Sequence, residues 1–224
     1  GKREDLEIPA EYIDEAEELR QALIEKAAEY DDSLMEKFFD QGELDEDEIR
    51  KGLGIGIRQG EAMPIFCLSA KKSIGVKRLM EFTIKVAASP AEREAELLNG
   101  SSLACDDKGK TALFIYKTQL EQHLGEVAYF KVMSGVVTLG QDLENAVTGD
   151  KERLSSLYAV AGKKKEAVNE LRAGDIGCTV KLRAAKTNST LCAPGADIAV
   201  VPIKFPASKI RFAIKAVEQK DDEK

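Results

Sequence analysis

The chain has 224 residues, of which 43% are hydrophobic and 33% charged, and its formal net charge is −7. This composition is typical of a folded globular protein and excludes a disordered or membrane-embedded class, because no apolar run approaches the roughly 18–20 residues that span a bilayer. The N-terminal sequence GKREDLEIPAEY lacks the apolar stretch of a signal peptide, so we expect a cytoplasmic protein.

Charge is unevenly distributed along the chain. Residues 1–100 contain 14 Lys and Arg against 24 Asp and Glu, a net of −10, whereas residues 101–224 contain 19 against 16, a net of +3. This asymmetry predicts two domains of different character. The cysteines lie at wide, irregular spacings with a single histidine, His123, beside them, which predicts neither a zinc site nor a disulfide framework. These cysteines are Cys67, Cys105, Cys178 and Cys192.

The first hundred residues show helical patterns. Apolar residues recur every three or four positions after Pro9, which predicts a helix over about 9–30. Asp31-Asp32-Ser33 with Glu36 predicts the cap of a second helix, 33–40, ended by Gly42, and Asp45 with Glu48 predicts a third, about 46–59. The apolar positions of the first helix are Tyr12, Ala16, Leu19, Leu23, Ala27 and Tyr30.

A short apolar run, Pro64 to Leu68, predicts a strand buried on both faces of a parallel sheet. A helix is predicted next, from Gly75 to Ala88. Between them lies the loop Ser69-Ala70-Lys71-Lys72, at the carboxyl end of a sheet strand, where open α/β folds bind ligands. Main-chain amides in such a loop can donate hydrogen bonds to a purine carbonyl, although any strand-to-helix loop has the same outline.

The second half has a different pattern. The charged stretch 91–110 predicts a linker, and short β-branched and aromatic segments follow it. Regularly spaced short strands indicate an antiparallel barrel or sandwich, and we expect a closed barrel. The predicted strands lie near 111–118, 124–133, 136–139, 142–147, 152–161, 176–183, 198–201 and 209–218. Turns are predicted at Ser134-Gly135, Thr148-Gly149-Asp150, Ala173-Gly174-Asp175, Thr187-Asn188-Ser189 and Pro194-Gly195.

Four further motifs lack the neighbouring elements or residues that their functional interpretation requires. The stretch 104–111, ACDDKGKT, resembles a phosphate-binding loop, but it follows a linker and precedes a strand-like segment, and its two aspartates would repel phosphate. The glycines of 52–56 lack the preceding strand of a dinucleotide fingerprint. The acidic run 43–48 lacks the ligand spacing of a calcium loop, and His123 has no nucleophile arranged around it.

Several longer stretches resemble elongation factor G. AEYDDSLMEKFFDQGELDEDEI, then PIFCLSAKKSIGVKRLM and SP, resemble the acidic helical insert, guanine loop, closing helix and boundary of its GTPase domain. FIYKTQLEQHLGEVAYFKVMSGVVTLGQDLENA, GKKKEAVNELRAGDIGCTVKL and TNSTL resemble the strands of its second domain. KIRFAIKAVEQKDDEK is similar to the join to a third domain, so the resemblance covers nearly the whole chain.

The resemblance implies an α/β fragment, with the helical insert, closing strand and closing helix of a GTPase domain, followed by an all-β antiparallel barrel. The expected boundaries are 1–92 for the GTPase part, 93–108 for a linker, 109–218 for the barrel and 219–224 for the start of the next linker. The glycines of 52–56 stand in a helix usually richer in alanine and arginine, which suggests a divergent paralogue.

The implied function is that of a ribosome-bound GTPase that promotes movement of messenger and transfer RNA. Of the family's nucleotide site, Ser69, Ala70 and Lys71 carry over. The phosphate loop, switches, magnesium ligands and Asn-Lys-x-Asp element are expected before residue 1. GTP and Mg²⁺ are thus expected in the parent protein and not on this fragment, which we expect to be inactive by itself.

The implied partner of the barrel is small-subunit ribosomal RNA. Its densest basic run, Lys163, Lys164 and Lys165, supplies candidate phosphate contacts, although a solvated hairpin tip has the same composition. A ribosome protection protein of the tetracycline-resistance type, a release-factor-type GTPase and a barrel interaction module without GTP are alternatives. No membrane or disulfide partner is expected. The 64–68 strand predicts an exposed apolar edge and self-association of the fragment.

Overall fold

The computed structural model describes residues 6–210 and 212–213. The chain divides into two compact units, with the boundary between Glu94 and Ala95. We call the described residues before this boundary the helical unit and those after it the barrel unit. In the described part of the chain, no helix combines the length and apolarity needed to cross a membrane.

The helical unit contains four helices close to their predicted positions. They are α1 Ile13–Ala28, α2 Asp32–Gln41, α3 Glu46–Gln59 and α4 Val76–Val86. A 3-10 turn, Ala10–Tyr12, precedes α1. The Asp45–Glu48 capping box of α3 is formed in both directions. Asp31 accepts hydrogen bonds from the amides of Ser33 and Leu34 at the start of α2. The helix ends predicted from caps are confirmed because capping is local in sequence.

A small core holds α1, α2 and α3 together. Its buried residues are Ile24, Ala28, Leu34 and Leu44. The apolar positions predicted for α1 are only partly used, since Leu19 is 63% exposed and Leu23 47% exposed. Ala27, by contrast, is fully buried. The N-terminal half of the predicted apolar face therefore lies at solvent in the helical unit.

The glycines of α3 allow close packing on two sides of the helix. A Cβ on Gly52 would lie 2.1 Å from the carbonyl oxygen of Ala27, and one on Gly56 would lie 2.4 Å from the Tyr30 ring. On the other side, a Cβ on Gly54 would lie 3.3 Å from the carbonyl oxygen of Val86. The sequence predicted that these glycines weaken the helix. The structure shows a second effect of these glycines. Because they have no side chain, the neighbouring backbone and ring atoms can pack directly against α3.

The predicted strand at 64–68 is not formed. Residues 62–68 have no strand hydrogen bonds in the described structure, and Ile65 is 89% exposed. Phe66 packs edge-on against Phe82 of α4, with ring centroids 4.8 Å apart. A strand needs a neighbour to accept and donate its main-chain hydrogen bonds, and no partner strand lies beside this segment among the described residues.

The barrel unit is built from short antiparallel strands. Within the described residues they are β1 Ala95–Glu96, β2 Ser102–Leu103, β3 Ala112–Glu121, β4 Gly125–Ser134, β5 Val136–Thr138, β6 Asp142–Asn145, β7 Lys151–Arg153, β8 Tyr158–Ala161, β9 Lys164–Ala167, β10 Glu170–Arg172, β11 Ile176–Val180 and β12 Thr190–Cys192. Eight of them form one sheet in the order β7-β6-β12-β3-β4-β11-β8-β9, and β10 pairs with β5. Every ladder is antiparallel, as predicted.

The sheet encloses a large apolar core. Its residues come from β3, β4, β5, β6, β10 and β12 and include Ile115, Phe130, Val137, Leu143 and Leu191, each at most 1% exposed. Because the β5–β10 ribbon and the eight-stranded sheet line the same core, the unit has the form of a barrel. The glycine or asparagine of every predicted turn has a positive φ: Gly135, Gly149, Gly174, Asn188 and Gly195.

Some strand predictions were wrong. The segment 152–161 forms two strands, β7 and β8, and the segment 198–201 makes only an isolated bridge between Leu97 and Val200. The stretch predicted as a linker contains β1 and β2, and Leu97 is buried in a second cluster with Phe114 and Ile198. Of the predicted strand 209–218, most residues, and all of 219–224, lie outside the described residues.

Candidate functional site

The predicted guanine loop is a tight turn closed by two hydrogen bonds. The amide of Ser69 donates to the carbonyl of Ile74 and the amide of Ile74 donates back, both at 3.0 Å. Inside this bridge the amide of Ser73 donates to the carbonyl of Ala70 at 3.1 Å. Gly75, with φ of 75°, then turns the chain into α4.

This closure leaves the outer amides of the loop open. Among the described residues, the N–H groups of Ala70, Lys71 and Lys72 have no hydrogen-bond acceptor. All three residues are exposed, while Ser69 is half-buried. The loop therefore offers three consecutive main-chain donors, and such donors can bind a carbonyl oxygen of a ligand. The described residues bring Ser69, Ala70 and Lys71 together in one turn.

The basic run 163–165 lies on the β8–β9 hairpin and its lysines differ in environment. Lys163 and Lys164 are exposed at the tip. The Nζ of Lys165 donates to both carboxylate oxygens of Glu121, at 2.8 and 2.7 Å, and its side chain is only 18% exposed. The sequence groups the three lysines, whereas the structure leaves two of them available to a ligand.

Tyr129 completes the arrangement around Lys165. Its hydroxyl donates to Glu121 at 2.5 Å, and the ammonium groups of Lys117 and Lys165 each lie 5.7 Å from its ring centroid. The hydrogen bonds from Lys165 and then Tyr129 lower the pKa of the Glu121 carboxyl, and the bond to Glu121 raises the pKa of Lys165. This network ties the β8–β9 hairpin to the end of β3.

The loop that resembles a phosphate-binding motif is engaged within the barrel unit. The carbonyl of Asp106 accepts from the amides of Gly109 and Gly135, and the Asp107 carboxylate accepts from the amide of Ala173. The loop leads into strand β3 and not into a helix. The sequence context, in which a strand-like segment and not a helix follows the motif, argues against a phosphate-binding loop, and the strand β3 confirms that segment.

Sequence reasoning missed one buried carboxylate. Glu152 on β7 is 3% exposed and accepts hydrogen bonds from three consecutive amides, those of Arg183, Ala184 and Ala185, at 2.7 to 3.0 Å. It thereby holds the start of the loop between β11 and β12. The one available signal is its position, because a glutamate between two outward-facing residues of a strand faces the interior.

The same loop is fixed at its other end by Asn188. Its side-chain amide donates to the carbonyl of Ile203 at 3.0 Å, and its side-chain oxygen accepts from the amide of Ile203 at 2.9 Å. Asn188 has a φ of 73°, a conformation that asparagine tolerates better than most residues. The chain leaving the barrel is therefore anchored at Ile203.

Other candidate groups have ordinary surroundings. His123 is exposed at the β3–β4 turn. The four cysteines are free, and burial raises the pKa of Cys178. Among the described residues, no cluster of three or more His, Cys, Asp or Glu side chains has the geometry to hold a metal ion.

The described residues thus form an antiparallel barrel, preceded in the chain by a helical unit with a loop-to-helix turn. Residues 110–194 match the family model described as elongation factor G domain 2. The match covers 85 of the 224 residues and lies within the barrel unit, so the barrel unit is similar to the second domain of elongation factor G.

A solved structure has the same fold. The chain is similar to a crystal structure of a protein from Thermus thermophilus, with a TM-score of 0.69 and 24% sequence identity. The similarity covers 90% of the present chain and 29% of the other. The chain therefore spans under a third of the length of that structure, and the likeness concerns the fold, including helices as well as the barrel.

Proposed function

We propose that the chain is part of a ribosomal translocase that uses GTP to promote movement of transfer and messenger RNA during translation elongation. The observation that carries this proposal is the match of residues 110–194 to elongation factor G domain 2. In the whole protein the barrel contacts the small ribosomal subunit, and the helical unit, with residues up to about 92, is the end of a GTPase domain. The protein acts where ribosomes are, in the cytoplasm.

The turn at Ser69, Ala70 and Lys71 forms one wall of the nucleotide site in this proposal. Its open amides support a role in recognising the guanine carbonyl, because a main-chain N–H donates to that oxygen and not to the amino group of adenine. GTP and Mg²⁺ bind the whole protein, since the phosphates need donors that this turn does not supply.

The proposal that this chain holds only one wall of the nucleotide site is tested by titrating a fluorescent GDP analogue into the chain. We expect no saturable binding at micromolar concentrations, and no GTP hydrolysis. Saturable binding with one nucleotide per chain would show that the 224 residues contain a complete nucleotide site and would contradict the proposed division. Addition of Mg²⁺ serves as the control, because it strengthens binding only where phosphates are held.

Lys163 and Lys164 are the contacts that we propose for ribosomal RNA. They are exposed and adjacent at a hairpin tip. Among the described residues, neither ammonium group forms an ion pair with a carboxylate, whereas Lys165 does. Lys165 is not proposed as a direct contact, because Glu121 holds its ammonium group. Its role is to fix the hairpin.

Co-sedimentation with purified small ribosomal subunits tests this assignment. We expect Lys163→Glu with Lys164→Glu to weaken binding by roughly tenfold or more, since phosphate contacts depend on charge and each reversal adds repulsion. Lys108→Glu with Lys110→Glu, exposed elsewhere on the same unit, is the control with the same change in charge. Equal loss in both double variants would remove the hairpin as the specific contact. No binding by the unaltered chain would contradict the role of the barrel and favour an interaction module unrelated to the ribosome.

A further inference from the structure

The chain leaves the barrel through a segment that carries exposed apolar side chains. We call residues 201–206, VPIKFP, the exit segment. Val201, Ile203 and Phe205 are all exposed to solvent, whereas Val200, immediately before the segment, is buried in the second apolar cluster of the barrel unit. The change from buried to exposed chain therefore occurs within one residue.

Few main-chain hydrogen bonds hold the exit segment on the barrel. The amide of Val201 donates to the carbonyl of Glu96 at 3.0 Å. The amides of residues 204–205 have no acceptor in the part of the chain that the structure describes. Between these two stretches, Ile203 is bonded through both of its main-chain polar groups to the side chain of Asn188.

The Asn188 side chain takes the place of a neighbouring strand. Its Oδ1 accepts from the amide of Ile203 at 2.9 Å, and its Nδ2 donates to the carbonyl of Ile203 at 3.0 Å. Two residues that exchange both bonds form the hydrogen-bonded pair of an antiparallel ladder, and an asparagine side chain carries the donor and the acceptor that this pairing needs. One side chain thus pairs with one residue of the exit segment and does not extend the ladder beyond it.

Asn188 itself is firmly held on the barrel. Its amide donates to the carbonyl of Ile115 on β3 at 2.8 Å, and the amide of Ile115 donates to the carbonyl of Ser189 at 2.9 Å. Ile115 is completely buried. The two bonds to Ile203, in contrast, are exposed, and water can replace such bonds at little net cost. The Asn188–Ile203 pair therefore joins a fixed base to a segment that can leave it.

Two prolines make the exit segment stiff. Pro202 and Pro206 restrict their own φ, and Val201 and Phe205 are biased toward extended conformations because each precedes a proline. A stiff segment changes direction as a whole when one of its contacts opens. Loss of the bonds at Ile203 therefore redirects the chain that follows it.

We propose that the exit segment is a strap with two positions. In the described structure, Asn188 holds Ile203 and fixes the direction in which the chain leaves the barrel. In the second position the Asn188–Ile203 pair is open, and the main-chain groups and apolar side chains of the exit segment are free for other contacts. Opening and closing of this pair switch the direction of the chain that follows the barrel.

Amide hydrogen exchange of the full chain, followed by NMR, tests the strap. Asn188→Gly removes the side chain and keeps a residue that adopts a φ of 73° without strain. We expect the amide of Ile203 to exchange roughly tenfold faster or more, because its acceptor is lost, and the amide of Ile115 to change less than about twofold. Asp197→Gly, also at a positive φ, is the matched control and should leave the exchange of Ile203 within about twofold of the unaltered chain.

Asn188→Asp tests whether there are two positions. Aspartate keeps an acceptor for the Ile203 amide and loses the donor, so it should open the pair in part. We expect the amide shifts of Lys204 and Phe205 in this variant to lie on a straight line between those of the unaltered chain and Asn188→Gly, as for two states in rapid exchange. Shifts that leave this line would overturn the two positions.

The exchange rates have equally clear contrary outcomes. Unchanged exchange of Ile203 in Asn188→Gly overturns the proposal, because another contact then holds the segment. Equal acceleration at Ile203 and Ile115 also overturns it, because the barrel then opens as a whole. Equal acceleration of Ile203 in Asp197→Gly does the same, since the flexibility of glycine and not the lost pair would be the cause. Unchanged circular dichroism confirms that the variants are folded.

Discussion

The two units of this chain bury apolar residues in different ways. In the barrel unit, Phe130 and Leu154 are completely inaccessible to solvent, in a core to which six strands contribute. In the helical unit, Met63, Ile65 and Ile84 are each more than four-fifths exposed. A barrel closes its apolar surface on itself, whereas the four helices and the apolar segment 62–68 of the helical unit do not. We therefore expect the barrel unit to stay folded when it is produced by itself, and the helical unit to need contacts with other residues to cover its apolar side chains.

The largest effect is expected where a charge is buried in the barrel. Glu152→Gln removes the carboxylate that accepts from the amides of Arg183, Ala184 and Ala185, and turns an NH₂ group toward one or more of these donors. We expect a loss of roughly 2–4 kcal/mol in the free energy of unfolding. Urea denaturation measures it.

Glu166→Gln, at an exposed position on β9, is the control for loss of a carboxylate and should change stability little. Hydrogen exchange should show the loop 183–189 opening first in the Glu152 variant. If the two variants are equally stable, the Glu152 contacts do not stabilise the barrel.

A smaller effect is expected in the helical unit. Gly52→Ala places a Cβ 2.1 Å from the carbonyl oxygen of Ala27, so α1 and α3 must separate. We expect a net loss of about 1–3 kcal/mol, although alanine favours a helix over glycine by about 1 kcal/mol. Thermal unfolding followed by helical circular dichroism measures the change.

Gly54→Ala is the matched variant in the same helix. Its nearest contact is 3.3 Å, which a shift of a few tenths of an ångström can relieve, so we expect it to be much less destabilised than Gly52→Ala. Equal stability of the two variants, or a more stable Gly52→Ala, would mean that helix propensity and not close packing decides the role of these glycines.

Self-association follows from the exposed apolar segment before the guanine loop. We expect sedimentation coefficients of the chain to rise with concentration, and Ile65→Asp to suppress this rise, because Ile65 is 89% exposed. Gln59→Asp, at an exposed polar position, adds the same charge and should leave association unchanged. A monomer at high concentration for the unaltered chain would contradict the prediction.

The smallest effect is expected at the ion pair that fixes the β8–β9 hairpin. Because Lys165 and Tyr129 lower the pKa of Glu121, the pair contributes stability above the unfolded pKa of about 4.3 and loses it as pH falls through the folded value. The stability difference between the unaltered chain and Glu121→Gln should be constant near neutral pH and shrink below about pH 4. Urea denaturation across this range checks it, and a difference that grows on acidification would exclude the pair as its source.

Local patterns determined which parts of the fold were predictable from sequence. The capping residues fixed α3 at Glu46–Gln59, and turn residues with positive φ, such as Gly135 and Asn188, marked the corners of the barrel. Strands β9 and β10 were missed, because KKEA and ELR are charged and show no apolar alternation. The strand at 64–68 was predicted from an apolar run, but a run does not supply a pairing partner.

The candidate site residues likewise fall into two groups: those that the adjacent sequence predicts and those that depend on contacts with distant residues. The loop at Ser69 was found because strand-like segment, loop and helix are adjacent in sequence. The pairing of Lys165 with Glu121 joins residues 44 positions apart, and Glu152 meets its amide partners 31 to 33 positions away. Contacts between residues so far apart cannot be recognised from a single sequence. The close approach of Ala27 to Gly52 is of the same kind.

We propose that the barrel unit binds the ribosome, as a domain similar to the second domain of elongation factor G. The most direct measurement is a titration of the chain against purified small and large ribosomal subunits in parallel, at fixed salt. We predict saturable binding to the small subunit, with weaker binding to the large one and a decrease in affinity as salt rises. Binding to neither subunit, or preference for the large subunit, would contradict the account.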